Sequence, residues 1–173
     1  MKKIFYAKRN QYTKSEDAVI EILQAYFSIP SPKIVKTKNG KPLIDGKKDL
    51  FFSISHTKDM LFIAFSDTEI GLDIEQSDRT ILFSPIVSKF SESERKTIVS
   101  SIDFLKNFTA KESAVKFLGG KLALDFYKLS VINGQIYYNN SPLPALLSYP
   151  VMDGYILAVV SEKDFSYPEF ILL

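Results

Sequence analysis

The chain has 173 residues, 46% of them hydrophobic and 24% charged, with 14 Phe, 9 Tyr and no Cys. These are ordinary values for one domain, or for two small halves sharing a core, and the lack of Cys excludes disulfides, thiolate metal sites and a cysteine nucleophile. The net charge of +2 is uneven: residues 1–55 hold eleven Lys and Arg against five Asp and Glu, a surplus of +6, whereas residues 56–173 hold eleven against fifteen, or −4.

A basic first part and an acidic second part suit a polyanionic ligand held partly through a metal, chance asymmetry being the plain alternative. The basic residues form no dense run with interleaved aromatics, so nucleic acid is not an expected partner. Met1-Lys2-Lys3-Ile4-Phe5-Tyr6-Ala7-Lys8-Arg9 is too short and charged for a signal peptide. No apolar run reaches the roughly 18 residues of a membrane helix. A soluble, cytoplasmic, monomeric protein is expected.

Residues 2–7 read as a first strand. Residues 14–27 read as a helix, with Ser15 as its cap and Val19, Ile22, Leu23, Tyr26 and Phe27 as its apolar stripe. Pro30 and Pro32 end it. Ile34 and Val35 begin a short strand, and Asn39-Gly40-Lys41-Pro42 is a turn. Leu50 to Glu75 reads as an antiparallel meander of three strands, 50–55, 60–65 and 70–75, with His56 in the first turn. Ile81, Leu82, Ile86, Val87 and Phe90 line a helix interrupted or started near Pro85, and Ser91-Glu92-Ser93-Glu94 starts another. The strongest helix is about Phe104 to Leu118, closed by Gly119-Gly120. Asn133-Gly134 is a hairpin signal between strands 128–132 and 135–139. Tyr155 to Val160 is a last strand, so the order of helix then strands occurs twice.

Two stretches stand out chemically. In Ile70-Gly71-Leu72-Asp73-Ile74-Glu75 the apolar residues share one strand face, and Gly71, Asp73 and Glu75 share the other. Like charges on one face repel; a divalent cation between them offsets that cost, and Gly71 leaves it room. On the long helix the stripe Phe104, Phe108, 112, Val115, Leu118 has Glu at position 112. Its partner is either Lys116, four residues on, or a bound metal. Asp73, Glu75 and Glu112 together describe a hard-cation site for Mg²⁺ or Mn²⁺, with positions left for phosphate oxygens, and the three are expected to converge within a few ångströms. Such a site facing a basic half suggests phosphoryl-group chemistry.

Phe52-Ser53-Ile54-Ser55-His56-Thr57, then Ile70 to Glu75, then Phe108-Thr109-Ala110-Lys111-Glu112-Ser113-Ala114-Val115-Lys116 resemble the motif set of the 4′-phosphopantetheinyl transferases, most closely the longer single-chain, pseudo-dimeric type. Gly40-Lys41-Pro42 and Phe90-Ser91-Glu92-Ser93-Glu94 match two further segments, so the resemblance runs from about Gly40 to Val160. It implies transfer of phosphopantetheine from coenzyme A to a serine of an acyl or peptidyl carrier protein, releasing adenosine 3′,5′-bisphosphate. It implies Asp73, Glu75 and Glu112 around Mg²⁺, and Glu112, or a water it orients, as general base, with Glu94 as a second candidate. Lys111 and Lys116 would add charge at the phosphates and Lys116 would share in catalysis. His56, with Ser55 or Thr57, would contact the 3′-phosphate, and Lys41 and Pro42 would border the adenine and its phosphates. The chain departs from the family at Lys14-Ser15-Glu16-Asp17, where basic residues are usual, at Phe108 in place of Trp, and at Thr57 in place of Ser. Lys8, Arg9 and Lys14 are the alternative cations for the 3′-phosphate.

The expected fold is α+β, with two similar halves, each a long helix on a small antiparallel sheet. Residues 1–66 form the coenzyme A side and 67–173 the metal side of one compact unit, with the site in the cleft between. The competing expectation is a degenerate homologue that binds a carrier protein or coenzyme A without catalysis.

Overall fold

The computed structural model describes residues 1–79 and 84–173, and for residues 84 and 85 the backbone alone. In chain order the elements are β1 (Lys2–Lys8), α1 (Ser15–Ala25), β2 (Ile34–Lys36), β3 (Pro42–Ile44), β4 (Phe51–His56), β5 (Met60–Ser66), β6 (Ile70–Gln76), α2 (Ser84–Val87), α3 (Glu92–Thr97), α4 (Ser101–Leu118) and α5 (Leu122–Asp125). There follow β7 (Leu129–Ile132), β8 (Gln135–Tyr138), β9 (Ser141–Pro142), β10 (Leu146–Ser148), β11 (Val151–Met152), β12 (Tyr155–Ser161) and β13 (Glu169–Leu172). The expected helix residues Ile81 and Leu82 lie outside the described residues, as does the side chain of Pro85.

Four layers stack in the order α1, first sheet, second sheet, α4. The first sheet runs β13-β1-β5-β4. One face of it carries Phe5, Phe52, Leu61, Ile63 and Phe65 against Ala18, Val19, Ile22 and Leu23 of α1. The other face carries Ile4, Phe62 and Ala64 against Ile70, Leu72 and Ile74 of β6 and Leu157 and Val159 of β12. Behind the second sheet, Ala158 and Val160 meet Ala110, Ala114 and Val115 of α4. Alternation on each strand thus splits between two cores, which is why β5 and β12 are almost wholly apolar.

Several local expectations change. β6 does not complete a meander. Both edges of β5 are taken, by β1 and by β4, so β6 has no place beside it. It pairs instead with β12, antiparallel, with Asp73 opposite Ala158. The first helix is capped by Lys14 rather than Ser15, the Lys14 N–H donating to the Asp17 carboxylate at 3.1 Å. That helix ends at Ala25, leaving Tyr26 half exposed. His56 is the last residue of β4 rather than a turn residue. β13 was not anticipated: it runs parallel to β1, bringing residues of the second part back into the first sheet.

The long helix begins at its Ser100 cap, whose hydroxyl accepts from Asp103 N–H, and ends at Gly119 with φ 63°. There the Gly120 N–H reaches back to the Val115 carbonyl at 3.0 Å, closing the last turn as glycine permits. Asn133 and Gly134 take φ 51° and 77°, as a two-residue turn of type I′ requires. No helix among the described residues is long and apolar enough to cross a membrane.

Candidate active site

The site is built on the second face of β6. Gly71 comes first, because its role differs from the expected one. A Cβ at residue 71 would stand 2.0 Å from the Ser113 carbonyl oxygen and 2.5 Å from the Phe117 nitrogen. The bare glycine therefore admits the backbone of α4, not a metal. The Ser113 hydroxyl donates to the Gly71 carbonyl at 2.8 Å and accepts from Val160 N–H at 3.0 Å, pinning helix to sheet. This close seat moves the buried stripe of α4 away from the expected line. Phe104 and Val115 of the expected line stay buried, but they are joined by Leu105, Thr109, Ala110, Lys111, Ser113 and Ala114, with Leu118 exposed. Glu112 falls at the border of the stripe, half-buried and facing the cleft.

Two residues beyond Gly71, Asp73 is buried. Its Oδ1 accepts from the Ser55 hydroxyl at 2.8 Å and from Lys116 Nζ at 2.7 Å. Lys116 also donates to the Leu72 carbonyl at 2.9 Å, so the ammonium is fixed to the strand it serves. Ser53, on the same face of β4 as Ser55, accepts from Leu72 N–H at 2.8 Å. The two serines thus bridge the edges of the two sheets, a role the sequence shows only as their spacing of two. Asp73 Oδ2, by contrast, is buried with no hydrogen-bond partner among the described residues.

Asp73, Glu75, Glu112 and Lys116 line one wall of an open cleft of about 450 Å³. The opposite wall comes from the start of α1, from Lys36, and from Gly40 and Pro42 in the β2–β3 hairpin. Ser55 and His56 of β4 close one end. Glu16 and Lys36, ion-paired at 3.0 Å, were not anticipated here. Their partnership joins a helix to a hairpin and leaves no local sequence signal.

Electrostatics in the cleft favour a cation. Burial, then the Asp73 charge and that of Glu75, push the Glu112 carboxyl up to about 8, while Lys116 and Arg79 pull the other way. The expected convergence does not occur, however. Among the described residues no three acidic or histidine side chains form a ready set of metal ligands. Glu75 is engaged by Arg79, whose Nη1 donates to both carboxylate oxygens. The donor chemistry nonetheless fits a hard divalent ion. Asp73 offers a buried oxygen with no partner among the described residues, and Glu112 a carboxyl whose charged form burial and Asp73 disfavour until a cation is near.

Four expected site residues are engaged elsewhere. Lys111 is wholly buried, with its ammonium 4.6 Å and 4.4 Å from the ring centroids of Phe90 and Phe126 and 3.3 Å from Glu94 Oε2. It cannot meet a phosphate in the cleft. Glu94 is equally buried, accepting from Ser91 N–H at 2.7 Å and Val131 N–H at 2.9 Å, so it cannot act as a base there. On α4, residues 111 and 112 point about 100° apart, which sends one into the core and the other to the cleft. Lys41 donates to Glu69 and, at 2.9 Å, to the Phe117 carbonyl in the last turn of α4. Its ammonium braces the hairpin against the helix. Thr57 shapes the β4–β5 turn by accepting from Met60 N–H at 3.1 Å.

Taken together, this is an α+β protein whose two sheets and two outer helices frame a cleft walled by carboxylates and a lysine. Residues 69–160 match the family model ACPS, the 4′-phosphopantetheinyl transferase superfamily, and the chain belongs to that superfamily. The chain is similar to the 4′-phosphopantetheinyl transferase gsp of Aneurinibacillus migulanus, 29% identical over 144 residues, covering 75% of this chain and 59% of the relative. It therefore spans about three-fifths of that relative's length.

Proposed function

We propose that the chain transfers the 4′-phosphopantetheine group of coenzyme A to a serine of an acyl or peptidyl carrier protein. The observation that carries this reading is the common cleft wall of Asp73, Glu75, Glu112 and Lys116, which lies inside the segment matched to the superfamily. The serine oxygen bonds to the phosphorus that bears pantetheine. The bond from that phosphorus to the bridging oxygen breaks, and adenosine 3′,5′-bisphosphate leaves with the electron pair. The serine proton passes to Glu112, directly or through a water it orients, since that carboxyl faces the cleft beside Asp73 and Lys116. Lys116 keeps Asp73 oriented and adds positive charge beside the phosphates. Asp73, Glu75 and Glu112 would hold Mg²⁺ or Mn²⁺, which when bound would offset the pyrophosphate charge. Ser55 and His56, at the end of the cleft beside Asp73, and Pro42, on the hairpin, would border the coenzyme. In this reading residues 1–66 and 67–173 are related halves of a cytoplasmic monomer.

The test is incubation of several apo carrier proteins with coenzyme A and Mg²⁺, read by intact mass. A phosphopantetheine adduct is expected, lost in Asp73→Ala and Glu112→Ala. No adduct on any carrier, or full activity in both variants, would sink the reading. One observation favours a competing reading: Lys41 and Lys111, two of the expected coenzyme contacts, are engaged within the protein. In that reading the chain binds a carrier protein or coenzyme A without transfer, and binding without an adduct would identify it.

A further inference from the structure

We propose that Arg79 couples a phosphate-binding pocket, which shares His56 and Glu75 with the carboxylate cleft, to that cleft, so that an anion in the pocket releases Glu75 to the cleft. The proposal takes the identity of the cleft's cation from the function proposed above. The pocket, of about 390 Å³, is bounded by Arg9, His56, Lys58 and Arg79, and Glu75 forms part of its wall. Glu75 also lines the carboxylate cleft. A single carboxylate therefore stands between the two cavities, and both its oxygens are held by Arg79.

Charge in the pocket is unbalanced. Arg9, Lys58 and Arg79 face it, and among the described residues Glu75 is the one acidic residue that lines it. Among the described residues no ion pair engages Arg9 or Lys58. Three cations converging from β4–β5, from the end of β1 and from the segment after β6 suit a compact dianion with several acceptor oxygens. That is the chemistry of a phosphate monoester.

Arg79 is the movable part. Its side chain is 52% exposed, whereas that of Glu75 is 13% exposed. A guanidinium presents five donors in a rigid fork, and Glu75 engages a single nitrogen of it. A phosphate in the pocket offers Arg79 a bidentate, more highly charged partner than the carboxylate. Once Arg79 turns to it, the largely buried Glu75 is left charged beside Asp73 and Glu112. A divalent cation in the cleft then becomes the group that restores balance. By linkage, each ligand raises the affinity of the other by the same factor. Arg79 is a positioning residue in this scheme, since it acts through Glu75.

The experiment measures Mg²⁺ binding to the full chain by titration calorimetry, with and without saturating inorganic phosphate at matched free metal. In the wild type, phosphate should tighten Mg²⁺ binding by roughly 5–150-fold, the usual range of site coupling. Arg79→Gln should bind Mg²⁺ at the tightened level without phosphate, and phosphate should then change it by less than about twofold. The double variant Arg9→Gln/Lys58→Gln should weaken phosphate binding and leave phosphate-free Mg²⁺ affinity unchanged. Coupling of equal size in Arg79→Gln would mean that phosphate reaches the metal directly and would overturn the proposal. So would a wild-type Mg²⁺ affinity indifferent to phosphate. A chain that transfers phosphopantetheine yet shows no coupling sinks this proposal alone; one that binds no Mg²⁺ under either condition sinks both it and the metal set of the proposed function. Coupling without transfer to any carrier leaves the latch standing and removes only the proposed activity.

Discussion

Ser113 sits directly on Gly71. Its hydroxyl donates to the Gly71 carbonyl at 2.8 Å, and its own carbonyl oxygen lies 2.0 Å from where a Cβ on residue 71 would be. Both clashing atoms are backbone, so neither can swing aside. Gly71→Ala is expected to lift α4 off the sheet, at about 2–3 kcal/mol, within the range of overpacked cores. Because α4 carries Glu112 and Lys116 against Asp73, activity should fall further than stability alone explains. Urea unfolding alongside single-turnover transfer checks this; a variant as stable and active as the wild type would show that the contact is not tight.

The second expectation concerns the buried pair Lys111 and Glu94. Lys111→Met leaves the Glu94 carboxylate buried without its cation and should cost about 3–5 kcal/mol. Adding Glu94→Gln should recover part of that loss, although the Val131 and Ser91 N–H groups then lose a charged acceptor. Denaturation midpoints of the two singles and the double measure the coupling. Coenzyme A affinity of the folded double variant should match the wild type, since neither residue reaches the cleft. A large loss of affinity with unchanged stability would put Lys111 back at the phosphates.

A pH dependence follows from Glu112. Burial, then Asp73, raises its carboxyl from 4.5 to about 8 in the metal-free protein. The folded state thus holds a proton that the unfolded chain releases, so this contribution to stability is complete below about 4.5 and is lost as pH rises through about 8. The carboxylates lowered by their partners, Asp67 through Lys163 and Asp125 through Lys128, titrate below that window. With a chelator present, the denaturation midpoint should decline from pH 5 to pH 8.5, and Glu112→Gln should flatten the decline. Saturating Mg²⁺ should restore the midpoint at the high end. A wild type whose profile overlays that of Glu112→Gln would contradict the assignment.

Lys41→Met separates bracing from binding. Its ammonium serves Glu69 and the Phe117 carbonyl at the C-terminal end of α4, where a cation also complements the helix dipole. Stability should drop by about 1–2 kcal/mol. Coenzyme A affinity should change by less than about tenfold, or about 1.4 kcal/mol. Thermal melts and calorimetry report the two quantities separately, and a larger loss of affinity without a shift in melting would make Lys41 a ligand contact.

Much of this was legible from local pattern. The long helix of about Phe104 to Leu118 with its Gly119-Gly120 stop, the Asn133-Gly134 turn, the apolar strand 60–65 and the alternation of Ile70, Leu72 and Ile74 against Asp73 and Glu75 all depend on residues a few positions apart. Propensity and period act over that range. Glu112 stands out as a charge in an apolar stripe, Asp73 and Glu75 as two acids on one strand face, and Lys116 as the cation one helical turn beyond Glu112.

Only the tertiary structure decided the rest. β6 left the meander because β5 had no free edge, and its partner β12 lies far along the chain. Gly71 proved to be a seat for a helix, because a Cβ there would strike backbone that arrives from residues 113 and 117. Lys111 and Glu112 are neighbours in sequence, yet one lies under two rings and the other faces the cleft. The strand pattern makes Glu75 a candidate metal ligand, and the fold hands it to Arg79. The residues themselves determined which groups could act. Competition for sheet edges, close packing and burial, all of them non-local, decided which groups face one another.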